Sequence, residues 1–207
     1  MDAILYASQL DDEFTRSCTA LNHDEPWFGE FGLKVNGEVK GFKIGKLRAV
    51  AQRVLPITHP LADAFYDCEP GEEFEVNAPA LGLASFEGVL HHKSRLACRA
   101  RRIQRVDYSD LENEVVVVRT DRGFEVRVDA SRGIDFHTGL PDILALLTRE
   151  QYRIIARLRD QPVILQGRAG SGKTSVALYR VAWLANPVEG STQPAVDPSR
   201  VLIVMFN

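Results

Sequence analysis

No stretch of the sequence reaches the roughly 18 consecutive apolar residues that a membrane-spanning helix requires. An export leader is also missing, because Asp2, Asp11, Asp12 and Glu13 stand where such a leader carries positive charge and then an unbroken apolar segment. The chain is therefore read as cytoplasmic, with no membrane partner. Cysteine is scarce: Cys18, Cys68 and Cys98 are odd in number, far apart and without a Cys-x-x-Cys or Cys/His pairing, which excludes a disulfide framework and a zinc site of ordinary spacing. Charge of one sign is lacking too. With 25 Lys and Arg against 28 Asp and Glu, the net charge of -3 exerts no global pull toward nucleic acid, so any such contact has to rest on a local cluster. What is present is ordinary globular composition, 45% hydrophobic and 26% charged, in 207 residues, enough for one domain or two small ones.

Residues 1–26 are polar and weakly patterned, with a short helix expected over Asp11 to Leu21 and a stop at Pro26. From residue 27 to about residue 140 the texture is that of strands. Phe28, Phe31, Leu33 and Val35 lead to Asn36-Gly37, a hairpin signal, and on to Val39, Phe42 and Ile44. A mixed stretch from Leu47 to Tyr66 follows. Further strands are expected at Glu73 to Val76, Ala84 to Leu90, Arg95 to Val106, Glu114 to Thr120 and Gly123 to Val128, the last two joined by a turn at Asp121-Arg122-Gly123. After residue 140 the period changes: Leu147, Gln151, Ile154 and Leu158, widened by Tyr152 and Ile155, recur at helical spacing. Pro162 to Gln166 reads as a buried parallel strand, Ser175 to Ala185 as a helix ended by Asn186-Pro187, and Val201 to Phe206 as a second buried strand. The expected architecture is α/β: a β-rich unit over 27–140, then in 141–207 the first βαβ of a P-loop, RecA-like parallel-sheet domain whose remaining strands are absent.

Gly167-Arg168-Ala169-Gly170-Ser171-Gly172-Lys173-Thr174 matches G-x-x-x-x-G-K-[ST] in full, between a strand pattern and a helix pattern that begins at Ser175. Glycines at these positions let the backbone wrap closely around an anion, with amide N–H groups pointing inward and the dipole of the following helix adding positive potential. The ligand such a loop fits is a polyphosphate, as in ATP. Lys173 would bridge the β and γ phosphates, and the Thr174 hydroxyl would join the coordination shell of Mg²⁺, which makes these two the catalytic candidates.

From Leu165-Gln166-Gly167 through Trp183-Leu184 the text resembles the first motif of superfamily I helicases of the UvrD/Rep type, and among them HelD-like proteins. Leu147-Thr148-Arg149-Glu150-Gln151 is similar to the Q motif of that family, and the resemblance implies that Gln151 recognises adenine. Thr148 and Gln151 equally form the Thr-x-x-Gln pattern of a helix capping box, and the two roles are compatible. Arg200 to Asn207 is similar to the start of motif Ia, which in the family leads into a single-strand contact, so Asn207 becomes a nucleic-acid candidate by resemblance. Upstream, Pro26-Trp27-Phe28-Gly29, Phe42-Lys43-Ile44-Gly45-Lys46 and Ala64-Phe65-Tyr66-Asp67 through Gly71-Glu72-Glu73-Phe74 follow the order of HelD-like proteins. The resemblance implies an ATP-dependent helicase or translocase, a hydrolase as a complete motor, acting on nucleic acid, with DNA the expected partner and the choice between DNA and RNA left open by the residues. Residues 1–26 are too few for the long coiled-coil arm with which HelD-like proteins act on RNA polymerase, which argues against that partner.

Hydrolysis needs an acidic pair to hold Mg²⁺ and orient water, and arginines to neutralise the γ phosphate. Val115 to Val118 runs toward Asp121, but that aspartate lies in a turn and precedes the loop, and Asn207 is an uncharged amide. The 207 residues are therefore expected to bind ATP and to turn it over negligibly, as the nucleotide-binding front of a longer motor. A P-loop regulatory module that binds nucleotide without unwinding is the alternative, and a non-motor protein working through its basic β unit is the third. Lys93, Arg95, Arg99, Arg101, Arg102 and Arg105 form a local basic run, and on a single strand Arg95, Arg99, Arg101 and Arg105 would share one face, either a charged outer face or a nucleic-acid contact. His91 and His92 are read as surface residues, and Glu72, Glu73 and Glu75 as a solvated rim.

Overall fold

A computed structural model describes residues 2–78, 83–127, 144–157, 162–168, 170–186 and 194–204. Leu158, Ala169 and Asn207, and the boundary expected near residue 140, lie outside the described residues. Among those described, the chain is α/β, with a mixed sheet of eight strands and four α-helices.

Helix α1, Ala3–Leu21, starts because Asp2 holds an extended backbone while its carboxylate accepts the N–H groups of Ile4 and Leu5. It ends at Asn22, whose left-handed conformation lets its N–H reach the carbonyls of Cys18 and Thr19. Ala7, Leu10, Phe14 and Cys18 line its buried face, and Asp11 is buried beside them. The helix is thus longer than the Asp11 to Leu21 segment expected, and residues 1–26 are core-forming. The polar letters that weaken the pattern include Asp11, which is 2% exposed and bonded into the core.

Strands β1, Gly29–Val35, and β2, Glu38–Gly45, form the anticipated hairpin around Asn36 and Gly37, both at positive φ. β3, Val54–Pro56, adds to β2 in parallel, and helix α2, Ala62–Asp67, follows. β4, Glu73–Ala78, pairs with β5, Leu83–Arg99, and β6, Arg102–Asp110, β7, Glu114–Thr120, and β8, Gly123–Arg127, continue as an antiparallel meander. The order is β3-β2-β1-β5-β6-β7-β8, with β4 also on β5. Because Val89 pairs with both Lys34 and Glu73, β4 shares with β6 the edge of β5 that faces away from β1.

Bulges decide which helix each part of β5 meets. The pairing slips between Gly32 and Leu33 of β1, leaving His91 as the extra residue, so Leu90 and Leu96 point to opposite faces despite their even separation. Leu90 joins Phe31, Phe65, Tyr66, Tyr152 and Trp183 in one apolar cluster; Leu96 joins Phe14, Trp27, Ile103, Val106 and Val117 beneath α1 in the other.

The strand expected from Arg95 to Val106 is two strands. A tight turn at Ala100 and Arg101, φ 50° and 62°, separates β5 from β6. Turns of this kind are usually written Asn-Gly, and neither residue is present to signal it. A non-glycine side chain in the left-handed region is strained, and asparagine tolerates that region better than alanine. Ala100→Asn is accordingly expected to stabilise the chain by about 0.5 kcal/mol, read as a rise in the midpoint of urea unfolding with unchanged slope.

Helices α3, Arg149–Ala156, and α4, Lys173–Ala185, complete the described elements. Among the described residues neither of the two parallel strands expected on either side of α4 is formed: residues 162–168 and 201–204 run outside the sheet. A buried strand needs neighbours on its edges and layers on its faces. Here Leu165 packs on the core but Ile164 is 85% exposed and Leu202 86% exposed. The sheet that does form lies wholly within the β-rich part and is antiparallel except for one parallel pair, β2 and β3.

Candidate nucleotide-binding site

The loop between residue 166 and α4 is held by local constraints. Gly170 and Gly172 lie at φ +78° and +79°, and Gly172 is the N-cap of α4. The turn before them closes through the Ser171 N–H on the Arg168 carbonyl at 3.2 Å. A Cβ at Gly167 would come within 2.7 Å of Ser171 Oγ, so a side chain there would require the Ser171 hydroxyl to turn away.

No side chain caps α4. The first intrahelical bond runs from the Val176 N–H to the Gly172 carbonyl at 2.9 Å, so the N–H groups of Lys173, Thr174 and Ser175 precede the helical ladder. An uncapped helix start, reached through two left-handed glycines, is the arrangement in which amide donors and the helix dipole meet an anion together. Lys173 Nζ donates to the carbonyls of Gly167 at 2.9 Å and Arg168 at 2.7 Å, folding the ammonium back over the loop. Arg168, Gly170, Ser171 and Thr174 are exposed, while Gly172, Lys173 and Ser175 are half-buried.

Gln151 is brought to this loop. A Cβ on Gly172 would sit 3.4 Å from Gln151 Nε2. The capping box is present as well: Gln151 Oε1 accepts the Thr148 N–H at 3.0 Å, and Thr148 Oγ1 accepts the Gln151 N–H at 3.2 Å. The two ends of one amide thus make different contacts, the oxygen fixing the helix start and the nitrogen lying beside Gly172.

Aromatic and charged contacts fasten α3 to the β-rich part. Tyr152 stacks on Tyr66 at 4.2 Å between centroids and meets Trp183 of α4 edge-on at 5.9 Å. The Tyr152 hydroxyl donates to Asp63 at 2.6 Å, Tyr66 donates to the Leu144 carbonyl at 3.0 Å, and Arg149 and Arg153 both grip Asp67. Burial raises the Asp63 pKa above the usual carboxylate range, partly opposed by the Tyr152 hydrogen bond, and burial together with Asp63 raises that of Tyr152.

Sequence reasoning missed Arg180. Its Nη1 donates to the carbonyls of Ile154 at 2.9 Å, Ile155 at 3.3 Å and Arg157 at 2.8 Å, the last turn of α3. Burial and the nearby Arg157 guanidinium lower its pKa. The sequence carries only its spacing, Val176, Arg180 and Trp183 recurring on one helix face, which the structure buries at Val176 and Trp183.

The basic run is divided. Arg99 is exposed at the end of β5, Arg101 lies in the turn bonded to Asp24 at 2.7 Å, and Arg105 on β6 is bonded to Asp107 at 2.7 Å. Arg95 is half-buried opposite Asp107. The four therefore do not share the face of one strand. Lys93 is buried against Glu69 and the Cys68 carbonyl, and Arg102 reaches Asp11. His92, expected on the surface, is half-buried 3.2 Å from Glu30 and stacked on Tyr108. The rim of Glu72, Glu73 and Glu75 is exposed, with Glu72 drawn to Arg149. No group of three or more His, Cys, Asp or Glu side chains able to hold a metal occurs among the described residues, and no described helix is long and apolar enough to cross a membrane. Compared with protein-family models and with curated proteins, the chain matches none.

Proposed function

We propose that the chain is the ATP-binding part of an ATP-dependent helicase or translocase of superfamily I, acting on nucleic acid. The observation that carries this reading is the apposition of Gln151 Nε2 to Gly172, because it joins a base-reading amide to a loop whose free amides suit a polyphosphate. In this reading the amides of Gly170, Gly172, Lys173, Thr174 and Ser175 hold the phosphates, with Gly167, Arg168, Ala169 and Ser171 forming the wrap around them. Lys173 exchanges its two carbonyl partners for β- and γ-phosphate oxygens, and the exposed Thr174 hydroxyl serves as a ligand to Mg²⁺. Mg²⁺ would supply charge neutralisation on the phosphates. Turnover additionally requires an acidic pair and arginines from further strands, so these residues by themselves bind without appreciable hydrolysis.

Gln151→Ala should weaken ATP by about tenfold, the value of one base-edge hydrogen bond, and leave GTP within about twofold. Calorimetric titration of both nucleotides into both proteins checks this; equal weakening of ATP and GTP would reduce Gln151 to a helix cap.

The engagement of Arg101 by Asp24 and of Arg105 by Asp107 favours a second reading, a nucleotide-responsive module whose β-rich part does not grip nucleic acid. Salt-dependent binding of single-stranded DNA that weakens on charge reversal at Arg95 and Arg99 supports the motor reading; no binding at low salt supports the module.

A further inference from the structure

We infer that Arg180 is a positioning residue that sets the distance between the base-reading amide of Gln151 and the phosphate loop; this rests on the nucleotide-binding reading above. Helix α3 has only 8 residues. Its start is closed by the Thr148 and Gln151 box, but its end is not closed from within: the last carbonyls of a helix have no intrahelical donors, and Arg157 leaves the helical conformation at once, with φ -57° and ψ 143°. The Arg180 guanidinium fills that gap from α4, reaching three carbonyls of the last turn. A cation here also meets the negative end of the helix dipole.

Besides the edge-on contact of Tyr152 with Trp183, two contacts tie the ends of α3 to α4. One is Gln151 against Gly172, at the start of both helices. The other is Arg180 against Ile154, Ile155 and Arg157, seven residues along α4 from Lys173, or about 10 Å. A short helix behaves as a rod, so a shift at its end carries the side chain at its start with it. Without the tie at its end the rod can pivot about Gln151 and Tyr152, and a pivot of even about 1 Å spoils a base-edge hydrogen bond.

The contacts of α3 to α2 make this separable from folding. Tyr152 remains bonded to Asp63 and stacked on Tyr66, and Arg149 and Arg153 remain on Asp67, whatever stands at position 180. Loss of the Arg180 contacts releases the register of α3 against α4 while α3 stays attached to the β-rich part. The Arg157 guanidinium nearby is a like charge, and the contacts that Arg180 makes with the end of α3 are to carbonyl dipoles.

The test compares the unaltered chain with Arg180→Met, which keeps an apolar stem, and Arg180→Lys, which keeps the cation with a different reach. Each is titrated with inorganic triphosphate, ATP and GTP. Arg180→Met should bind triphosphate within about twofold of the unaltered chain, while its ATP affinity falls about tenfold toward that of GTP. Arg180→Lys should recover part of the ATP preference, and it decides the matter should the methionine variant not fold. Retention of the full preference in Arg180→Lys and Arg180→Met overturns the inference, and so does equal weakening of all three ligands, which marks Arg180 as a structural tie alone. An unaltered chain that binds triphosphate but treats ATP and GTP alike overturns the inference and leaves the phosphate loop standing. One that binds no triphosphate sinks the nucleotide-binding reading and this inference with it.

Discussion

Lys173→Ala should lower the affinity of the chain for ATP and for inorganic triphosphate by about 100-fold or more, through the loss of two charge-assisted hydrogen bonds at about 1.5 to 3 kcal/mol each. Stability should hardly change, because the partners Lys173 now has, the carbonyls of Gly167 and Arg168, belong to exposed loop residues that water can serve instead. The pairing of a large binding loss with an unchanged unfolding midpoint separates a ligand-directed lysine from one that merely braces its own loop. Calorimetry and thermal unfolding on the same two proteins measure both quantities. A substantial fall in the midpoint with little change in binding would mean that Lys173 is a loop brace.

Asp11→Ala should destabilise the chain by about 3 to 5 kcal/mol, the cost of removing one partner from a buried ionic group. The Asp11 carboxylate accepts the Ile103 N–H at 2.8 Å and lies 2.6 Å from both Arg102 and Arg119. Arg119 in turn donates to the Ile103 carbonyl and covers the ring of Phe124. Without the carboxylate, a buried amide loses its acceptor and two guanidinium groups face each other across the gap. The loss is a large fraction of the roughly 5 to 15 kcal/mol that holds a domain of this size together. It also acts at the junction of α1 with β6 and β7, so unfolding should start with release of the N-terminal helix. Urea unfolding of the two proteins reads the change, and a difference below about 1 kcal/mol would show that the cluster contributes little.

Much of the β-rich part was legible because its turns carry explicit chemistry. Asn36-Gly37 announced β1 and β2, and Asp121 to Gly123 announced β7 and β8. The turn at Ala100 and Arg101 was not legible, since neither residue advertises a left-handed backbone, and its concealment made a hairpin look like one basic strand. Helix α1 was underestimated because Asp11 reads as solvent-facing until its partners on β6 and β7 are known. Those partners, Arg102, Ile103 and Arg119, lie 91 to 108 residues away in sequence, a separation that no local pattern conveys.

The site was legible in its residues and only partly in its surroundings. The glycine spacing and the lysine of the loop were plain, and so was the capping box that starts α3. That the Gln151 amide also faces Gly172 is a tertiary fact, as is the reach of Arg180 to the end of α3. The apolar runs at Pro162 to Gln166 and Val201 to Phe206 carry the composition of buried parallel strands, yet Ile164 and Leu202 are exposed. Composition records what a segment can bury, while pairing depends on neighbouring strands.

Capture of a polyphosphate on the backbone amides of the bend after Gln166 is read by following amide resonances of the whole chain during an ATP titration. The N–H signals of Gly170, Gly172, Lys173, Thr174 and Ser175 are expected to move together and saturate at one ATP per chain. Signals that stay fixed throughout, or ATP-dependent shifts confined to residues outside the loop, would contradict it.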